Sequence, residues 1–139
     1  MEGKVIPRKV SDIRVGDVYY ALVRNPHVQK EGVVRYRSVT GCVMKVIDIG
    51  RDYSGFMIVK LLRTDGRDSS PYEVHEFPED ACDRLSCPNA DFYSDPREAV
   101  RDMEAMHLNA VTPVLRDVKA VEREYLLNRA EAEKAFGLQ

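Results

Sequence analysis

The chain has 139 residues, a hydrophobic fraction of 44%, a charged fraction of 32% and a formal net charge of −2. A chain of that size fits a single domain, long enough to bury roughly two-thirds of the surface it exposes when unfolded, and the composition excludes disordered and fibrous classes. No run of about 18 apolar residues is present to span a bilayer.

The opening "MEGKVIPRKV" lacks the apolar core of a signal peptide. The three cysteines, Cys42, Cys82 and Cys87, are an odd number in a chain with no export signal, so free thiols and a cytoplasmic setting are expected. Charge is unevenly spread. Residues 1–63 hold 12 Lys/Arg against 6 Asp/Glu, residues 64–90 hold 2 against 7, and residues 91–139 hold 7 against 10. The basic and acidic parts either neutralise each other within the fold or face different partners.

The first ninety residues read as strands. "DVYYALV" (Asp17–Val23) is rich in β-branched and aromatic residues and follows a turn at Val15-Gly16. "RNPHVQKEG" reads as a loop, and "VVRYRSV", "CVMKVIDI", "FMIVKLL" and "YEVHEF" follow as four further strands bounded by turn residues. Within the third strand Val43, Lys45 and Ile47 share one face while Met44 and Val46 share the other. Apolar side chains on both faces suit a curled sheet partly covered by helices.

Gly-Arg-Asp occurs twice, at residues 50–52 and 66–68. In a meander the two copies fall at opposite ends of the strand between them, about 17–23 Å apart for five to seven residues. That is too far for one site. Gly supplies a positive φ and Asp local hydrogen bonds, so both copies read as turn chemistry.

"FPEDACDRLSCPNADFY" reads as an acidic loop. Helix signals follow, with Asp95 as N-cap, Pro96 at the first helical position and Glu98 completing a capping box. Ala99, Met103, Met106 and Ala110 form a core-facing stripe at helical spacing. A second start at Thr112-Pro113 leads into Val114, Leu115, Val118, Val121, Tyr125 and Leu126 on one face. Run to Phe136, that helix would extend about 36 Å at 1.5 Å per residue and outrun its own core. Its end would either fray or carry Arg129 and Phe136 to another subunit or partner.

No chemistry-bearing motif is strong. His75, Cys82 and Cys87 lie close in sequence, with Cys42 or His107 as an imaginable fourth ligand, but the Cys82–Cys87 spacing is not that of a zinc knuckle. Buried free cysteines and a hydrogen-bonded strand histidine are the plainer reading. Neither a nucleophile elbow nor a glycine-rich phosphate loop is present, and Glu79, Asp80 and Asp83 lack calcium-loop spacing. No enzyme, metal or cofactor is expected; a site around His75 and Cys82 is the catalytic alternative.

Two binding readings remain. The acidic segment, with Glu76, Glu79, Asp80 and Asp83, could meet a basic protein surface alongside Arg129 and Phe136. The basic segment, with Arg24, Lys30, Arg35 and Arg37, could track nucleic-acid phosphates, although Tyr36 would face away from the arginines and the overall balance is acidic.

"IRVGDVYY", "GCVMKVIDIGRDYSGFMIVKL" and the element Tyr93-Ser94-Asp95-Pro96-Arg97-Glu98-Ala99 resemble a broad group of small phage-encoded proteins with a short, often SH3-like barrel followed by a helix. The resemblance covers about residues 12–110. It implies a viral accessory role in the host cytoplasm, binding and altering a host or defence protein, and carries over no catalytic residues.

The sequence thus predicts an α+β domain over residues 1–139. A five-stranded antiparallel curled sheet or SH3-like barrel would occupy about residues 5–80, and two helices residues 94–136. The expected function is that of a non-enzymatic protein-binding accessory factor or inhibitor, with nucleic-acid binding as the alternative. A homodimer through the C-terminal helix would account for the overlong rod.

Overall fold

The computed structural model describes residues 13–24, 38–67, 70–75, 84–111 and 118–138. Six strands are present among them: β1 (Val18–Arg24), β2 (Val39–Arg51), β3 (Met57–Arg63), β4 (Tyr72–Val74), β5 (Arg84–Cys87) and β6 (Ala90–Tyr93). They form one antiparallel sheet in the order β4-β3-β2-β1-β6-β5. The sheet curls into a nearly closed barrel with the short strands β4 and β5 on either side of its seam. Two helices, α1 (Pro96–Val111) and α2 (Val118–Phe136), cover part of its outer face. The fold is therefore α+β as expected, with six strands among the described residues instead of five in all.

The extra hairpin, β5–β6, falls where an acidic loop was expected. Leu85 and Cys87 alternate with Arg84 and Ser86, and Pro88-Asn89 supplies a two-residue turn. A strand this short, rich in Arg, Ser and Cys, gives little propensity signal, and its place is set by packing. The expected strand at residues 33–39 lies outside the described residues except for Ser38 and Val39, and Val39 begins β2.

Alternation along the strands builds two cores. Tyr19, Ala21, Cys42, Met44, Val46, Val59, Leu61, Leu85 and Phe92 point inward and fill the barrel. Leu22 and Tyr93 point outward, where Ala99, Met103, Tyr125, Ala132 and Phe136 of the helices bury them. Each fully buried large side chain contributes about 1.5–3 kcal/mol. Tyr19, Leu22, Met44, Leu61, Phe92 and Tyr93 are all in that state.

Helix α1 begins as its sequence specifies. The Asp95 carboxylate accepts the Arg97 N–H at 2.9 Å, and the Asp95 carbonyl accepts the Ala99 N–H at 3.2 Å. A cluster at the sheet surface docks the helix. Tyr93 donates its hydroxyl to Asp102 at 2.8 Å, while Arg84 pairs with Asp102 at 3.2 Å and lies 4.9 Å above the Tyr93 ring. Burial and the Asp102 hydrogen bond push the Tyr93 phenol well above its ordinary range.

The long helix differs from expectation. Its described part spans 19 residues, Val118–Phe136, and its last turns lie on β2, with Ala132 and Phe136 buried instead of reaching out to a partner. Leu126, expected on the buried face, is 59% exposed. Thr112 and Pro113 lie outside the described residues. None of the helices among the described residues is long and apolar enough to cross a membrane.

Candidate functional site

The β2–β3 turn is held by five hydrogen bonds. Arg51 pairs with Met57, leaving Asp52–Phe56 as the loop. Asp52 organises it: its backbone N–H donates to the Phe56 carbonyl at 2.9 Å, and its carbonyl accepts the Gly55 N–H at 3.0 Å. One carboxylate oxygen of Asp52 also accepts the N–H groups of Ser54 (2.8 Å) and Phe56 (2.9 Å). Gly55 adopts φ of +86°, a left-handed conformation that Gly reaches without steric cost. The Arg51 guanidinium then donates to the Gly55 carbonyl at 2.9 Å. Side-chain-to-backbone bonding of this kind is what Asp contributes to turns.

The loop holds two aromatic rings in water. Tyr53 is fully exposed and Phe56 is 67% exposed. Leaving Phe56 outside a core forgoes about 1.5–3 kcal/mol of burial, which association with another surface would recover. Val15, Val18 and Ile47 are also exposed, but β1 begins opposite Lys45, six residues before β2 ends at Arg51, so they lie back along the sheet from the turn. The backbone there is tied by Gly16 N–H to Val46 O and Val46 N–H to Asp17 O, both 2.8 Å. Single exposed hydrophobics are ordinary on protein surfaces; two aromatic rings on one hydrogen-bonded turn are a denser apolar feature.

Gly66 and Arg67 of the second Gly-Arg-Asp element follow the opposite end of β3 and are held differently; Asp68 lies outside the described residues. Asp65, one residue before Gly66, accepts the Arg67 N–H at 3.0 Å and two hydrogen bonds from Arg63 at 3.1 and 2.8 Å. The Arg63 hydrogen bond is the main cause that holds the Asp65 carboxyl below its ordinary range, outweighing desolvation. The two copies are separate, and the first differs from expectation: Gly50 and Arg51 are the last residues of β2, and the positive φ falls on Gly55 instead of Gly50, whereas Gly66 carries it in the second.

The residues singled out from the sequence are dispersed. Arg24, expected to meet phosphates, instead pairs with Asp91 and donates to the carbonyls of Cys87 (2.9 Å) and Pro88 (3.1 Å). Asp91, buried, also accepts the Ser86 hydroxyl at 2.7 Å. Arg24 thus stitches β1 to the β5–β6 hairpin. Phe136, expected to face a partner, is buried edge-on against Tyr20 with centroids 5.4 Å apart, because Gly41 leaves room for α2 to settle on β2. Arg129 stays on the surface, donating to Tyr125 (3.2 Å) and Glu133 (3.1 Å). Lys30, Arg35, Arg37, Glu76, Glu79, Asp80, Cys82 and Asp83 lie outside the described residues.

The imagined metal ligands that are described do not converge. Cys42 faces the barrel interior, and His107 sits between the helices on the other side of the sheet. His75 approaches Glu73 at 3.3 Å beyond the end of β4, whereas Cys87 ends β5. Cys87 borders an open cleft of about 550 Å³ with Arg67, Tyr72, Glu73 and Asn89. The cleft lies at the end of the seam where β4 starts and β5 finishes.

Comparison of the chain with protein families, curated proteins and solved structures finds no match.

Proposed function

We propose that this chain is a protein-binding module, a non-enzymatic accessory factor that docks on a partner protein through the Asp52–Phe56 turn. The observation that carries the reading is the pairing of two exposed aromatic rings, Tyr53 and Phe56, with a backbone held by the Asp52 carboxylate. Aromatic anchors dominate protein interfaces, and a turn already held in place loses little conformational entropy on binding. The partner would offer an apolar pocket for Tyr53 and a neighbouring apolar rim for Phe56. An accessory role of this kind, occupying a partner's surface, is also what the resemblance to phage accessory proteins implies.

The test places a photo-reactive phenylalanine analogue at position 53 in cells that express the chain, with the same probe at exposed Lys45 as control. One protein adduct is expected from position 53, suppressed about tenfold by Phe56→Ala at unchanged thermal stability. Equal labelling from both positions would overturn the reading, as would binding of the tip to lipid vesicles without a protein adduct.

A further inference from the structure

The two helices expose an apolar face that the turn-based reading does not use. They run antiparallel: the His107 and Tyr125 rings stack 3.9 Å apart, and Arg129 comes within 3.9 Å of Glu104. Each step along an α-helix rotates the side chain by about 100°. In an antiparallel pair, the residue after each contact residue turns toward the same side. Leu108 follows His107 and Leu126 follows Tyr125, so both project from one side of the pair. Leu108 faces away from the sheet, because Ala99, buried against it, precedes it by about two and a half turns; Leu126 projects from the flank of α2, about 80–120° around from Ala132 and Phe136, which rest on the sheet. Exposure agrees, at 58% for Leu108 and 59% for Leu126.

The charges around this leucine pair are self-complementary. Glu122 lies one turn before Leu126, and Arg129 lies one turn after it on the same flank. Arg129 is held there by Tyr125 and Glu133. A second copy laid antiparallel across Leu126 would set each Glu122 against the other copy's Arg129, twice by symmetry. A parallel copy in register would oppose like charges.

We propose that this face is a homodimer interface. Two α1–α2 pairs associate about a two-fold axis near Leu126, with Leu108 and Leu126 of both copies at the centre and Glu122–Arg129 pairs at the rim. An isologous contact of this kind closes on itself and packs the four helices as a bundle.

Sedimentation equilibrium on the full chain tests this. Twice the chain mass is expected at micromolar concentration, and Leu126→Glu should give a monomer with unchanged far-UV circular dichroism. Glu122→Arg and Arg129→Glu should each weaken self-association about tenfold, through like charges at both rim positions. Mixed together, these two variants should associate again, because every rim pair is then opposite in sign. A monomeric wild type at 100 micromolar (about a hundredfold above the working concentration) would overturn the proposal. So would a dimer indifferent to Leu126→Glu, or a mixture no tighter than its components.

Discussion

Gly41 on β2 lies directly beneath Ala132 on α2. A Cβ at position 41 would overlap the Ala132 side chain, stand 3.1 Å from its Cα and come within 3.0 Å of the Phe136 ring. The absence of a side chain at 41 is thus what lets the last turns of the helix lie flat on the sheet and bury Phe136 on Tyr20. Gly41→Ala is expected to cost about 1–3 kcal/mol through overpacking, read as a lower urea midpoint. Adding Ala132→Gly should recover part of this, although Gly within a helix itself costs about 1 kcal/mol. An unchanged midpoint for Gly41→Ala would show that the helix does not rest here.

Arg24 and Asp91 form an ion pair between β1 and β6, with Asp91 buried beneath the Pro88-Asn89 turn. Removing one partner of such a pair leaves the other charge uncompensated. Arg24→Met is therefore expected to lower unfolding free energy by about 3 kcal/mol. A variant of wild-type stability that instead lost salt-dependent binding to single-stranded DNA would reassign Arg24 to the phosphate-tracking role considered from the sequence.

His107 is buried between the helices, stacked on Tyr125, and among the described residues its Nδ1 has no hydrogen-bond partner. Burial holds its pKa below the ordinary value of 6.5 despite the opposing pull of Glu122 and Glu104. Arg129, bonded to the Tyr125 hydroxyl, is the nearby cation. The unfolded chain therefore binds a proton that the folded chain resists, so stability is fully present above pH 6.5 and falls as the pH drops from there toward the folded-state pKa. We expect the urea midpoint to decline across that window and His107→Phe to flatten the decline. A midpoint that rose on acidification, or an unaltered slope in the variant, would contradict the burial-driven shift.

The strands with strong alternation were legible in the sequence. "DVYYALV" became β1 and "CVMKVIDI" lies within β2, with Met44 and Val46 facing the barrel and Val43 facing the helices. The start of α1 was equally plain, since Asp95 and Pro96 encode it locally. The hairpin β5–β6 was hidden because Arg, Ser and Cys carry little strand propensity, and its pairing partner β1 lies some seventy residues earlier. Burial of Phe136 was hidden for a related reason. An alanine-rich helix end looks weakly apolar in one dimension, and only the glycine across from it makes close packing possible. The local hydrogen bonds of Asp52 are legible in the sequence, but the positive φ assigned to Gly50 falls on Gly55, and the sequence does not show that Phe56, grouped with the strand "FMIVKLL", sits in the turn and outside every core.

A rigid turn presenting Tyr53 and Phe56 is most directly tested by backbone amide ¹⁵N relaxation. Order parameters for residues 53–56 should match those of β3, near 0.85, and drop below about 0.6 in Asp52→Ala, whose fold should otherwise be unchanged. Values already below about 0.6 in the wild-type turn would contradict a pre-organised binding surface.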